Sequence, residues 1–591
     1  MERLTSYQRE LRYLRQAGAG LAARYPDLAG HLSAGHGEAP DPRIERLIES
    51  CAFLASRIQQ GIDADFPLIP AALLDALYPH LTAPTPGMAI ARLSPDPHQR
   101  GPAGGLRVER GTPLTTQTRD GAVCRFRTTA PAVLWPVEVV FAGFEAPDRF
   151  EGLAGVDSVL RLRIESEGDA SLADMGLDRL RLFLHSDPAT AGKLHELIFG
   201  SVVGVRLMAD GWRKPVTLPV ESIQPVGFSD DEDALPHPAG VHPGHRLLRE
   251  YFAFPRKFLF FDIDGLDRVP AKRSLDILLL LDRSPGRLPV DAGTFVPGCT
   301  PIVNLFPLAV EPVRIDHARD DDLLRPAGGG SAEIHSILRV AAKSGRHGEE
   351  REVAPYFGPD HGEPDGPRLY WHGRRVPSER PELAGSDMRI AFLDLDFTPA
   401  HPARWELSVS ALCTDRGAAE RIPEGAVFDT GEAASSIRAE CLTRPTRQGE
   451  PPLGGAALWR LVSLLSSDPL SPGDGPERLN ALRESLRLCA GDRTAAIERR
   501  VLGIRDLRVT PAVRRIGRDA WRGFCRGREV TLTVDEDAFA GDSAILLGAV
   551  LSRFLALHAP INSFIQLAVE SDRREGVWKK WPPMSGDQTV R

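Results

Sequence analysis

Leu4, Tyr7, Leu11, Leu14, Gly18, Leu21 and Tyr25 recur at alternating spacings of three and four residues, the pattern of a helix whose apolar seam turns toward other helices. The helix ends at Tyr25, because the ring of Pro26 excludes the α conformation at the residue before it. A Gly/His/Ser loop follows from Gly30 to Pro40. Asp41 and Pro42 then supply an N-cap and a first-turn proline for a second helix, whose wider stripe is Ile44, Leu47, Ile48, Cys51, Leu54, Ala55, Ile58 and Ile62. A third, short helix carries Leu73, Leu74, Leu77, Tyr78 and Leu81. Each fully buried Leu or Ile contributes only about 1.5–3 kcal/mol, and ordering each residue costs about as much. The stripes therefore meet either the rest of their own chain or helices of another polypeptide, and the pattern alone leaves both open.

From Met88 the period shortens to that of strands. Ala91–Leu93, Leu106–Glu109, Val123–Thr128 and Val133–Val140 are short β-prone runs separated by Pro, Gly and Asp-Gly punctuation. Val159–Glu165 and Leu180–Leu184 alternate apolar and polar residues, a single helix is expected between Pro188 and Gly200, and the run Leu275–Leu281 reads as a central strand. Residues 250–267 are the most aromatic stretch and suit a core between layers. Three prolines thread residues 298–317, which are expected to cross a surface or hop between domains in extended form. Strands at Glu333–Val340, Met388–Phe397 and Trp405–Leu412 suggest a second β-rich module, interrupted by the Gly/Pro/His-rich run Gly358–Pro367. Two helices follow from Leu453, then strands at Arg508–Ile516 and Arg528–Val534, a helix at Ile545–His558 and a strand at Ser563–Val569. The expected fold class is α+β and multidomain: an N-terminal helical segment (1–87), a β-rich domain with an inserted helix (88–317), a second β-rich module (318–450) and an α+β C-terminal domain (451–591).

Composition narrows the functional classes. A chain of 591 residues with 42% hydrophobic and 26% charged residues is globular and has room for several domains. No apolar run reaches the roughly twenty residues that span a bilayer, and the charged opening MERLTSYQRE lacks the apolar centre of a signal peptide, so the expectation is cytoplasmic, without membrane insertion. Seven scattered cysteines with no CxxC pair read as buried small residues in a reducing compartment. A net charge of −8 argues against nucleic acid as a partner, and the abundant arginines are interleaved with carboxylates.

Catalytic chemistry is not expected. GxSxG is missing, and His195-Glu196 opens an HExxH whose second histidine is replaced by Phe199. The acidic run Ser229–Asp233 lacks the glycine and distal glutamate of a calcium loop and reads as a solvated loop. His237, His242 and His245 lie close in sequence but without a helical frame or a neighbouring cysteine, so they read as loop histidines. No catalytic, cofactor-binding or metal-ligating residue is assigned. The alternative is a metal-binding or enzymatic protein using the His237–His245 loop.

One resemblance runs the length of the chain. YQRELRYLRQAGAGLAARYPDLAGHL, PDPRIERLIESCAFLASRIQQGIDADFP, LLDALYPHLTAPTP, VERGTPL with VCRFRTT and LWPVEV, LLREYFAFPRKFLFFD, GCTPIVNLFP, LCTDR, LWRLVSLLS and VLSRFLALHAPINSF occur in the order of the blocks of the TssF (VasA/ImpG) family, baseplate subunits of type VI secretion. LCTDR departs from the family's LCTNR, which bears on local contacts there. The resemblance implies a structural protein of a cytoplasmic wedge: two copies join one TssG, with TssK and TssE, around the VgrG spike, and prime sheath and tube assembly. It also implies that the amino-terminal helices enter a bundle with TssG. The expected partner-facing residues are therefore Leu4, Tyr7, Leu11, Leu14, Leu21, Tyr25, Ile44, Leu47, Cys51, Leu54 and Ile58, with a second copy of the chain nearby.

Overall fold

The computed structural model describes residues 8, 11–15, 46–55, 68–95, 105–167, 171–210, 214–237, 242–314, 321–328, 331–344, 350–356, 369–378, 380, 383–394, 405–431, 436–465, 470, 475–491, 494–515, 523–560, 562–586 and 588–589. The chain divides into two compact units, Met1–Leu74 with Leu453–Ser463, and Asp75–Pro452 with Leu464–Arg591. In the first, residues 11–15 and 46–55 are helical, and helices Leu68–Leu77 and Gly455–Leu465 contribute most of the remainder. Among its described residues Ala52, Pro70, Ala72, Leu74, Leu458 and Leu461 are buried apolar positions. The run Gly358–Pro367 lies outside the described residues.

The second unit starts from a six-stranded sheet assembled from three distant parts of the chain, in the order Val427–Phe428, Ile437–Cys441, Met88–Pro95, Cys299–Val303, Val123–Thr128, Pro113–Gln117. Strand Met88–Pro95 is buried on both faces: Ala89, Ala91 and Leu93 enter one core, Met88 and Ile90 another. Strands on either side of the boundary expected at 317/318 thus share one sheet. The proline-rich segment does hop between layers, but it does so as paired strands, since Cys299–Val303 is interior to this sheet and Phe306–Ala309 belongs to the next. Where the chain leaves at Asn304 and returns at Asp415, the two residues are tied together. Asn304 Nδ2 donates to Asp415 Oδ2 (2.8 Å) and the Asp415 N–H donates to Asn304 Oδ1 (2.8 Å).

Between these positions lie two sheets sharing one core: Phe306–Ala309, Trp405–Thr414, Glu333–Ser344 and Glu350–Glu352 in one, and Asp322–Leu324, Ser386–Asp394, Leu369–Pro377 and Ala354–Pro355 in the other. A second sandwich faces sheet Val216–Leu218, Val202–Ala209, Ser274–Leu281, Ser158–Ser166, Val137–Glu145 against sheet Ile223–Pro225, Phe260–Asp264, Arg179–Leu184, Phe295–Pro297. Ser274–Leu281 is its fully buried central strand. Asp276 is tolerated within that strand because Arg161 and Arg163 each clasp its carboxylate with two hydrogen bonds of 2.9–3.1 Å. Helix Pro188–Gly200 forms where Asp187 caps the N–H groups of Ala189 and Thr190 and Pro188 presets the first turn.

The C-terminal sheet pairs Ile504–Arg515 antiparallel with Phe524–Val534, which runs parallel to Phe564–Ser571 through the crossover helix Ala544–Ala556. Gly527 is required at that parallel pairing: a Cβ there would lie 2.4 Å from the carbonyl oxygen of Phe564. Helices Gly244–Ala253, Gly475–Ala490 and Ala495–Leu502 share the core of this sheet.

Candidate partner interface and buried polar clusters

Among the expected interface residues, Leu4, Tyr7, Leu21, Tyr25, Ile44 and Ile58 lie outside the described residues. Leu11 and Leu14 are half-buried, with Arg12, Tyr13 and Arg15 exposed between and after them. The second helix separates its stripe into two faces. Ile48, Ala52 and Ala55 turn inward or halfway inward, whereas Leu47 (65% exposed), Cys51 and Leu54 (59% exposed), at i, i+4 and i+7, form an uncovered apolar face. Phe53, Ile69, Leu73 and Trp459 are exposed as well. Of the 19 large hydrophobic side chains exposed among the described residues, seven belong to the small helical unit. Single exposed apolar residues are ordinary on a protein surface, but seven within one small helical unit are not.

The histidine loop folds differently from the sequence expectation. His245 is not on a loop: it opens helix Gly244–Ala253, nine of whose ten residues are buried. Its ring meets Tyr78 and Phe554 edge-on at 5.2 and 5.3 Å between centroids, and its Nδ1 lies 3.9 Å from Cys489 Sγ. Burial, with His558 and His242 adding to it, holds its pKa down to about 3. His80 is 3% exposed and lies 6.2 Å from the His237 ring, tilted 56° to it; burial first, then His245, His237, Arg249 and Arg246, hold its pKa well below the ordinary value. Among the described residues no three His, Cys, Asp or Glu side chains are placed to hold a metal ion.

The acidic run is likewise not a solvated loop. Glu232 is buried, accepts from the N–H groups of Gly227 (2.7 Å) and Ser229, and pairs with Arg181 at 2.9 Å. Asp233 pairs with Arg110 and with buried Arg246. Asp230 and Asp231 remain exposed. Beside them, Lys257 and Glu250 form a fully buried ion pair, and Glu250 Oε1 also accepts from Ala234 and Leu235 N–H. Burial raises the Glu250 carboxyl, but Lys257, Arg246 and these amides outweigh it and leave the pKa lowered.

The truncated HExxH proves to be a helix cap. His195 Nδ1 lies 3.1 Å from Ser543 Oγ, the N-cap of helix Ala544–Ala556, and Glu196 Oε1 accepts the Ala544 N–H at 3.0 Å. Burial takes the His195 ring down to about 3 and lifts the Glu196 carboxyl to about 7. The LCTDR departure is structural too. Asp415 accepts from Arg125 N (2.7 Å), Arg125 Nη1 and Asn304. Arg416, at φ 51°, spans the carbonyls of Ser331, Ala384 and Ser386 together with Asp387, joining the two sheets of residues 306–414. No described helix is long and apolar enough to cross a membrane.

Comparison with known proteins converges on one family. The family model described as type VI secretion system, TssF, matches residues 1–588. The chain is 33% identical over 617 aligned residues to the type VI secretion system component TssF1 of Pseudomonas aeruginosa, covering 99% of each. It superposes with a TM-score of 0.73 and 25% identity on a chain of the type VI secretion TssK–TssF–TssG baseplate subcomplex solved by cryo-electron microscopy, covering 91% of this chain and 98% of that one. A chain of the type VI secretion baseplate complex shares the fold over the full length of both, with a TM-score of 0.61 at 24% identity.

Proposed function

The chain belongs to the TssF family of type VI secretion systems, and from that membership we propose that it is a structural subunit of the cytoplasmic baseplate, joining TssG-like and TssK-like subunits. The observation that carries this reading is the uncovered apolar face of the second helix, Leu47, Cys51 and Leu54, in a unit crowded with exposed apolar side chains. A helix face of this kind is completed by helices of a partner. The relative of known structure is in complex with TssG and TssK. In this proposal the face Leu4–Tyr25 and Ile44–Ile58 receives TssG-like helices, and the finer organisation is two copies of the chain per TssG, with TssE and the VgrG spike within the same wedge. The work performed is binding, not catalysis. The test is co-purification of full-length chain carrying Leu47→Asp and Leu54→Asp with a TssG-like subunit. Covering the two leucines contributes about 1–2 kcal/mol each for the exposed fraction, so association should weaken by more than about thirtyfold with unit two still folded. Unchanged association would refute the assignment of this face.

A further inference from the structure

We propose that a cleft of about 290 Å³ beside the start of helix Pro188–Gly200 is a docking socket for an acidic side chain of a partner protein in the same assembly. The inference rests on the scaffold reading above. Arg256 lines this cleft, half-buried, and has no ion pair or side-chain hydrogen bond with any described residue. A guanidinium carries five N–H donors in a planar fork, and among the described residues none of those of Arg256 is claimed. Arg500, also in the lining, commits Nη1 to Asp542.

No described carboxylate forms an ion pair with Arg256; Glu424, which also acts on His185, accepts from the Arg444 N–H at 3.2 Å instead. Asp542 is engaged by the Tyr251 hydroxyl (2.7 Å), by Arg500 and by the Ser543 N–H. Asp187 caps the helix. His185, beside Arg256, has its pKa lowered by burial and then by Arg256, against a smaller raising effect of Glu424, so it adds a hydrogen-bonding edge to the cleft. Phe183, Pro188 and Leu259 supply apolar walls for the methylene stem of the incoming residue. Surplus donors on apolar walls match a carboxylate, which takes an arginine in a bidentate pair. The occupant is assigned to a protein because the scaffold reading brings partner subunits onto this chain and the planar fork of Arg256 matches the carboxylate of an acidic side chain.

The experiment compares full-length wild type, Arg256→Gln and Arg256→Glu for capture of purified TssG-like and TssK-like subunits at low and high salt, beside the Leu47→Asp, Leu54→Asp variant. Arg256 makes no ion pair or side-chain hydrogen bond with a described residue, so both substitutions should leave the fold intact, which thermal unfolding verifies. Arg256→Glu should weaken capture of one subunit by at least about tenfold, as expected for a desolvated charge pair. Arg256→Gln should weaken it less and flatten its salt dependence, and a Glu→Arg change on that subunit should restore capture by Arg256→Glu. If wild type captures both subunits and Arg256→Glu does so equally, the socket is overturned while the scaffold reading stands. If wild type captures neither, both fall. Stabilisation by N-acetylglutamate or inorganic phosphate that vanishes in Arg256→Gln, with capture unchanged, makes the cleft a small-anion site and overturns docking.

Discussion

Replacing Lys257 with methionine tests how the aromatic stretch is held. Lys257 is 1% exposed and Glu250 0%. The ammonium donates to Oε2, while Oε1 holds the backbone of Ala234 at 2.8 Å and Leu235 at 3.0 Å. Lys257→Met therefore leaves a buried carboxylate short of its closest counter-charge, and breaking such a pair from one side costs about 3–5 kcal/mol. Glu250→Gln retains an acceptor for the two amides but strands the ammonium, at a similar cost. The combination Lys257→Met with Glu250→Gln removes both charges and keeps the amide bonds, so it should lie within about 2 kcal/mol of wild type, far from the sum of the single effects. Glu250→Met in place of Glu250→Gln would add about 1–3 kcal/mol for each orphaned N–H. Urea-dependent hydrogen exchange, read by mass spectrometry on peptides covering residues 244–264, measures the local opening free energy. Single variants costing under about 1 kcal/mol, or a double variant costing as much as both singles together, would refute the coupling.

Three further outcomes are expected. Burial holds the rings of His195, His245 and His335 down to about 3 against an ordinary 6.5, so the unfolded chain binds these protons more readily. Stability should be unaffected by them above 6.5 and decline as the pH falls from 6.5 toward 3, by up to roughly 1.4 kcal/mol per unit for each ring; urea midpoints across this range check it, and His245→Phe should shallow the slope. Glu196 behaves in the opposite sense: with its carboxyl lifted by burial to about 7 from 4.5, the folded chain loses stability as the pH rises through that window, and Glu196→Gln, whose amide oxygen still accepts the Ala544 N–H, should abolish the loss and raise the midpoint above pH 7. At the root of residues 306–414, Asp415→Asn should cost under about 1 kcal/mol because one acceptor oxygen remains for Asn304 and the Arg125 N–H, whereas Asp415→Ala should cost about 2–3 kcal/mol in denaturant unfolding.

The elements that could be read in advance are those whose pattern is set by one burial boundary. Ser158–Ser166, Pro188–Gly200, Ser274–Leu281 and Ala544–Ala556 fall where period or apolar run placed them. Helix Gly244–Ala253 was hidden because its polar residues are buried along with its apolar ones: Arg246, Arg249 and Glu250 sit inside on partners that lie elsewhere in the chain. The acidic run looked solvated for the same reason, since Arg110 and Arg181, which neutralise Asp233 and Glu232, are more than fifty residues away in sequence. Periodicity registers how often a residue faces the core, not which counter-charge meets it there. On the second helix the stripe itself was legible, but its division into an inward face at Ile48 and Ala52 and an uncovered one at Leu47 and Leu54 required coordinates. Arg256 gave no signal beyond being one arginine among many.

The sheet built around Met88–Pro95 has a consequence for how the molecule is made. Its two immediate neighbours are Cys299–Val303 and Ile437–Cys441. With chains elongating at about 5–20 residues per second, the ribosome reaches the second of these on the order of tens of seconds after the first strand is complete. Through that interval a strand with two greasy sides lacks at least one of its lasting companions. Nascent polypeptides stalled before position 441 should consequently be ready clients for chaperones, and those released beyond it should not.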